Sequence, residues 1–395
     1  MLSWKKFKLS DCLTKVERPV EVVLDKHYAQ IGIRSHGKGL FHKESVTGEE
    51  LGNKAVYWVE PDCFVLNIVF AWEQAIGKTT SSEAGMIASH RFPMYRPKDN
   101  LVDIDYLISF FMTKKGKDIL EAASPGGAGR NRTLGQTRFM NSVITLPSIT
   151  EQRKIAEILS AQDRIIELKT KLLEEKKRLK KYLCQTLLSG KRRFPSYHEP
   201  WNKVYLSSIL KEKTINCKNQ NLRVYSVSVD VGVVDQIEHL GRSYAARDIS
   251  KYTVVEKGDV IYTKSPTGLF PFGIVKQSQM DASGAVSPLY AVYSPKSIEL
   301  GYLLHTYFSY PLNTTNYLKS LIQRGPKNTM SISNSDFLKK ALHLPVDKDE
   351  IARLSDLFKQ IDIEIRIMAN NIEQENLKKK ALMQQLLTGK IRVTV

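Results

Sequence analysis

The octapeptide LLSGKRRF, beginning at Leu187, returns 199 positions later as LLTGKIRV, beginning at Leu386. The match extends upstream. AEILSAQDRIIE precedes the first copy and SDLFKQIDIEI the second, with Asp163 and Asp362 at the same offset, and ITLPSITEQ matches LHLPVDKDE after a one-residue gap. A self-similarity with this period means two copies of a unit of about 200 residues, and any fold for the chain must place two related domains.

The bulk composition agrees with that size. A chain of 395 residues with 42% hydrophobic content can fill two or three ordinary cores. Its net charge of +18 and pI near 9.5 favour a polyanionic partner. The start MLSWKKFKLSD has no apolar signal core, and the longest greasy run, CFVLNIVFAW, is too short to span a bilayer and reads as a buried strand. Cys12, Cys63, Cys184 and Cys217 form no CxxC pair, which fits reduced thiols in a cytoplasmic protein.

Residues 148–188 contain no Pro or Gly, and Ile155, Ile158, Ile165, Leu168, Leu172, Leu179 and Leu183 recur at helical spacing. Pro147, Ser148 and Thr150 mark the start of this helix, and Gly190 its stop. In the second copy Phe358, Ile361, Ile365, Met368 and Ile372 step by three and four, a coiled-coil seam. Helices of about 40 residues are about 60 Å long at roughly 1.5 Å per residue, too long to bury a stripe on one domain, so each stripe needs the other helix.

The preceding segments read as mixed α/β. NKAVYWV, FVLNIVFAW, RVYSVSV and GDVIYT look like strands, DYLISFFMTKKGKDILEAA and GYLLHTYFSYPLNTTNYLKSLI like helical stretches. The two segments share punctuation more than identity: Trp4 with Trp201, Gly85 with Gly284, Pro97 with Pro295, Phe139 with Phe337. The boundaries predicted are a domain over 1–147, a long helix over 148–190, a second domain over 191–345, and a second helix with a tail over 346–395. Chain order then makes the fold α+β, with two mixed α/β domains held apart by two long helices in an antiparallel coiled coil and approximate two-fold symmetry.

This layout, together with LPSITEQRKIAEILSAQD, LLSGKRRF and LLTGKIRV, resembles the specificity subunit of type I restriction-modification systems over the whole chain. The second repeat departs from the family pattern, with LPVDKDEIARLSD in place of Glu-Gln and Lys-Ile-Ala. The resemblance implies two target-recognition domains, each reading one half of a split, asymmetric sequence in double-stranded DNA. It implies helices that set the gap and dock two modification subunits, with restriction subunits joining the complex. It also implies that S-adenosylmethionine, ATP and Mg2+ are used by those partners, with no cofactor in this chain.

Candidate DNA contacts follow from residue type. The loops SPGGAGRNRTLGQTR and QRGPKNTMS precede the two Leu-Pro endings and are Gly-rich and basic. Glycine lets the backbone approach a phosphate, Arg can grip guanine, and Asn or Gln adenine. They nominate Arg130, Asn131, Arg132, Gln136 and Arg138 in the first domain, and Arg324, Lys327 and Asn328 in the second. IRSHGKGLFHK adds Arg34 and Lys38, and GRSYAARDISKY adds Arg242, Tyr244 and Arg247. The competing reading of each loop is a solvated turn, and KKRLKKY on the first helix reads as a solvated face before it reads as a DNA contact.

Enzyme signatures fail. IGKTTS has Trp72 where a phosphate-binding loop needs its first glycine, there is no [ND]-P-P-[YF] run, and the eight histidines offer no metal spacing. EPDCF resembles part of a nuclease site, but WEQ lacks the lysine. The reading is a non-catalytic adaptor that specifies a DNA sequence. The alternatives are a specificity subunit of a combined methyltransferase-nuclease system, an unrecognised nuclease or methyltransferase, and a structural coiled-coil DNA-binding protein.

Overall fold

In a computed structural model that describes residues 4–126, 132–217, 222–242, 248–324 and 330–394, the two copies fold to one plan. The chain divides into a unit of residues 1–170 with 371–395 and a unit of residues 171–370, so each unit holds one domain and one part of each long helix. In the first domain one antiparallel sheet runs Leu13–Val16, Met94–Pro97, Phe64–Leu66, Ile76–Lys78. A second runs Leu40–Thr47, His27–Ile33, Ile87–Ser89, Val56–Trp58, with its middle pair parallel. The second domain repeats both. Its sheets run Leu210–Glu212, Tyr290–Pro295, Val260–Thr263, Val275–Gln277 and Gly232–Asp235, Arg223–Ser228, Gly284–Val286, Thr253–Val255, again with one parallel pair.

Equivalent phenylalanines centre the two cores. Phe139 is fully buried, parallel to Phe64 at 6.3 Å and against Phe111 at 5.7 Å. Phe337, also fully buried, is stacked between Tyr262 at 4.9 Å and Tyr293 at 5.1 Å. Burying such a ring contributes about 1.5–3 kcal/mol, which is why these aromatic positions recur in a pair of domains that share little else.

The long helices run Ile149–Leu187 and Lys348–Leu386. The Ser148 hydroxyl accepts from the Glu151 N–H at the first start, and the Asp347 carboxylate from the Asp349 and Glu350 N–H groups at the second. Gly190 and Gly389 adopt left-handed φ of 70° and 72° after the last turns, a conformation that costs other residues a Cβ clash. Trp201 and Trp4 lie against these two glycines.

Within each unit the helices are antiparallel and are tied by ion pairs that repeat. In the first unit Glu151 accepts from the Nε and Nη2 of Arg392 at 2.5 and 2.6 Å, and Asp163 pairs with Lys379 at 2.5 Å. In the second, Glu350 takes Arg193 at 2.9 and 2.7 Å, and Asp362 takes Lys180 at 2.5 Å. Every residue here has its counterpart 199 positions away, but each pair joins a carboxylate of one repeat to a cation of the other. The repeats therefore complete one another's units.

Four readings are corrected. The seam of the first helix is rotated from the expected stripe: Ile165, Leu168, Leu172 and Leu179 are exposed, and Leu173 is buried. The physical reason is ion pairing. Lys169 reaches Glu375 at 2.7 Å, Gln162 reaches the same carboxylate at 2.7 Å, and Lys176 meets Glu364, so polar side chains occupy seam positions that apolar periodicity passes over. CFVLNIVFAW is strand only over Phe64–Leu66 and then turns at Asn67. Gly85 is not the counterpart of Gly284, because the strand pairing aligns Gly284 with Ile87. Each helical stretch breaks in two, into Ile104–Phe111 with Lys114–Ala122 and Ile298–Phe308 with Pro311–Leu318. Thr113 caps the later helix of the first pair through its hydroxyl, and Pro311, which has no N–H to donate, opens that of the second.

Candidate nucleic-acid interface

Three segments far apart in sequence meet on the first domain. The hairpin loop between Ile33 and Leu40 turns through left-handed His36 (φ 61°), Gly37 and Gly39, closed by the Arg34 N–H on the Gly39 carbonyl at 3.0 Å. Residues 67–75 form a turn that begins when the Asn67 carboxamide oxygen accepts from the Val69 N–H at 3.1 Å. It ends at left-handed Gln74 (φ 59°), whose buried amide donates to the Phe111 carbonyl at 2.8 Å. The strained conformation is thus held by the core beneath it.

The hairpin is sewn to this turn. The His36 N–H donates to the Glu73 carbonyl at 2.8 Å, the Gly37 N–H to the Gln74 carbonyl at 2.9 Å, and the Ser35 hydroxyl to the Glu73 carboxylate at 2.8 Å. From the other direction comes the return arm of the Gly-rich loop. The Leu134 N–H donates to the Ile68 carbonyl at 2.8 Å, and the Arg132 guanidinium lies 5.3 Å from the Trp72 ring centroid. Two stretches nominated from sequence therefore converge, through residues 35–37 and 132–134, on a third that was read as a strand.

Around this junction the side chains form an open dish of about 320 Å3. Phe41, Phe70 and Phe92 give it apolar walls, and Asn67, Glu73 and Lys43 its polar edge. Arg34 stands 4.6 Å from the Phe41 ring centroid and Lys43 is 5.7 Å from that of Phe92, cation–π contacts that hold both charges at the rim. Among the described residues Arg34, Lys38, Lys43 and Arg132 form no ion pair, which leaves them available to a polyanion. Gln136 is half-buried and Arg138 exposed, but both belong to the short helix Gln136–Met140 rather than to the loop.

The second domain is only partly comparable. Its Gly-rich loop is carried by a small hairpin, Gln323–Arg324 against Met330–Ser331. The Arg324 side chain and all of Lys327 and Asn328 lie outside the described residues, as do Tyr244, Arg247, Arg130 and Asn131. Arg242 is exposed and follows left-handed Gly241 at the end of the helix Gln236–Leu240. Asn67, Trp72, Glu73 and Lys43 were missed from sequence. The usable signal was Asn67, an Asx-turn former set inside an apolar run.

A pair of related sheet-built domains, each with its own antiparallel segment of two long helices and the first with a cationic loop junction, is the class of fold that the chain presents. Among the described residues no group of three or more His, Cys, Asp or Glu could hold a metal ion. None of their helices is long and apolar enough to cross a membrane. Residues 46–178 match the family model of the type I restriction modification DNA specificity domain. The chain is 24% identical over 343 residues to a putative type I restriction enzyme MjaX specificity subunit from Methanocaldococcus jannaschii, covering 81% of this chain and 76% of that one. Its fold matches the crystal structure of the HsdS subunit from Thermoanaerobacter tengcongensis with a TM-score of 0.53 at 15% identity, over 98% of this chain and 97% of that one. It matches the type I restriction-modification S subunit from M. genitalium with a TM-score of 0.59 at 12% identity, over 98% and 96%. The chain carries a type I DNA specificity domain and has the fold of the specificity subunits of type I restriction-modification systems.

Proposed function

We propose that this chain specifies the DNA sequence on which a type I restriction-modification complex acts. The observation that carries this reading is the contrast between shared scaffolds and dissimilar tips. The two domains share both sheets strand for strand, yet RSHGKG closes the Ile33/Leu40 hairpin in one and VDV the matching hairpin in the other. Two readers of different half-sites need that arrangement. Base contacts specify and phosphate contacts position, so Arg34 and Lys38 serve chiefly as phosphate holders.

In this reading the long helices set the gap between half-sites and dock modification subunits, with restriction subunits joining a complete complex. Support comes from Ile165 and Leu168 in the first unit and Leu172 and Leu179 in the second, all exposed apolar residues on the first long helix. The chain itself catalyses nothing and binds no cofactor of its own, S-adenosylmethionine, ATP and Mg2+ belonging to its partners, and it works in the cytoplasm. The test is to express the chain with a type I modification subunit in a methylation-free host and to map methylated adenines. A split motif should appear, and exchanging residues 1–147 for those of a relative should change one half of it alone. Methyl transfer by the purified single chain would overturn the reading.

A further inference from the structure

The first domain's dish contains one feature that phosphate binding does not explain. Glu73 puts a carboxylate on a surface whose other charged lining residue is Lys43 and beside which Arg34 stands over Phe41. One of its oxygens accepts from Ser35, and among the described residues the other has no hydrogen-bond partner and no ion pair. Bringing a carboxylate up to DNA costs repulsion from the phosphates unless a donor meets it. In the major groove DNA offers only two kinds of donor, the N4 amino group of cytosine and the N6 amino group of adenine.

The surroundings fit such a contact. The Ser35 hydroxyl fixes the side chain of Glu73 and the His36 N–H its carbonyl, while the Gly37 N–H holds the next residue, Gln74. The Phe41 and Phe70 rings beside it present apolar surface of the kind that packs on a pyrimidine C5 position or a thymine methyl. Arg34 and Lys43, held over Phe41 and Phe92, flank it where phosphates would run. We propose that Glu73 is a base-reading residue, accepting a hydrogen bond from the exocyclic amino group of a cytosine or adenine in the half-site read by the first domain. The assignment rests on the function proposed above.

The test uses the full chain in complex with its modification subunit, on duplexes carrying the motif mapped from methylation. Each base pair of the first half-site is changed in turn for wild type, Glu73→Gln and Ser35→Ala. Glu73→Gln keeps the shape and can still accept from Ser35, but it adds a donor. It should lower discrimination about 5- to 150-fold at one base pair only, the range of a single base contact, and admit a carbonyl-bearing base there. Ser35→Ala, which frees the carboxylate without removing it, should give a smaller loss at the same base pair. Replacing that cytosine by its 4-deamino analogue, or that adenine by purine, removes the amino group alone and tells the two sources apart. The right analogue should weaken wild type and leave Glu73→Gln unaffected. Unchanged discrimination at every position in Glu73→Gln, or affinity raised equally on all DNA, would overturn the assignment. A wild-type complex that binds DNA with no preference would instead overturn the function on which it rests.

Discussion

The turn of residues 67–75 in the first domain and the loop of residues 264–274 in the second close matching hairpins of matching sheets, and little else about them agrees. The first is held against the core by Gln74 and sewn to its neighbour hairpin by Glu73. The second, KSPTGLFPFGI, contains no carboxylate and no His, and it exposes Leu269 at its tip. Its base is fixed instead by Tyr262, whose hydroxyl donates to the Phe272 carbonyl at 2.8 Å, and by Gly273, where a Cβ would strike the Thr263 carbonyl. The neighbouring hairpins differ too: Arg34, His36 and Lys38 on one side, Asp230 and exposed Val231 on the other. The lesson is that the sheets hold tips in place and do not dictate what the tips carry. Divergence falls on the exposed positions of these tips, while Ala71, Gln74 and Ala75 of the first and Phe270 and Ile274 of the second stay buried.

That comparison breaks most visibly if the cores are disturbed. Phe139→Ala and Phe337→Ala should each cost about 3–5 kcal/mol, the usual range for emptying a large aromatic site. If each domain owns its core, hydrogen exchange followed by mass spectrometry should show protection lost mainly in the domain that carries the change. Equal loss in both domains from either substitution would show that the cores are not separate. The next effect in size concerns charge. Arg34→Ala with Lys38→Ala should weaken binding of the complex to all DNA and reduce the salt slope by about 1 to 2, one for each phosphate no longer neutralised. Motif-specific loss with an unchanged slope would move these residues from positioning to reading.

These differences also show what sequence could and could not convey. The repeat, both long helices and the anchors Trp4/Trp201, Pro97/Pro295 and Phe139/Phe337 were legible because each rests on local periodicity or on a residue type with one dominant use. The seam of the first helix was not. Lys169, Lys176 and Lys180 point into it only because Glu375, Glu364 and Asp362 stand opposite, which is information about a segment 182 to 206 residues away. The reading site was half legible. Basic loops announce themselves by composition, whereas Glu73 gains meaning only when a hairpin 38 residues earlier closes onto it.

Acid should sharpen the comparison further. Burial by itself would raise the Glu83 carboxyl, but hydrogen bonds from His42, Thr80 and Ser82 outweigh it and hold the group down to about 2 from its ordinary 4.5. A carboxyl held low contributes stability that is complete above the ordinary value and is lost as the pH falls from about 4.5 towards about 2. The corner before the matching strand of the second domain carries Asp281, exposed and paired with Lys257 at 2.6 Å. Hydrogen exchange across that pH window should therefore show the first domain loosening at its Glu83 corner. Glu83→Gln should flatten the dependence there and leave the second domain's profile as it was.

The smallest expected effect lies where each domain meets its own helix segment. In the second unit Tyr310 opens the helix Pro311–Leu318; its hydroxyl accepts from the Gln185 amide at 2.8 Å, and its ring lies 5.8 Å from the Lys181 ammonium. The equivalent place in the first unit holds Thr113, and there Gln384 and Lys380, the counterparts of Gln185 and Lys181, line an open groove of about 780 Å3 together with Trp4 and Leu387. A tyrosine fills in one unit what a threonine leaves empty in the other. Tyr310→Phe removes only a solvent-accessible hydrogen bond and should cost about 0.5–1 kcal/mol, whereas Tyr310→Thr should also open a groove like that of the first unit. Crystal structures of the two variants would check the second outcome and thermal unfolding the first. If Tyr310→Thr leaves the space closed by a neighbouring side chain, the asymmetry between the units is a property of the surrounding backbone and not of this one position.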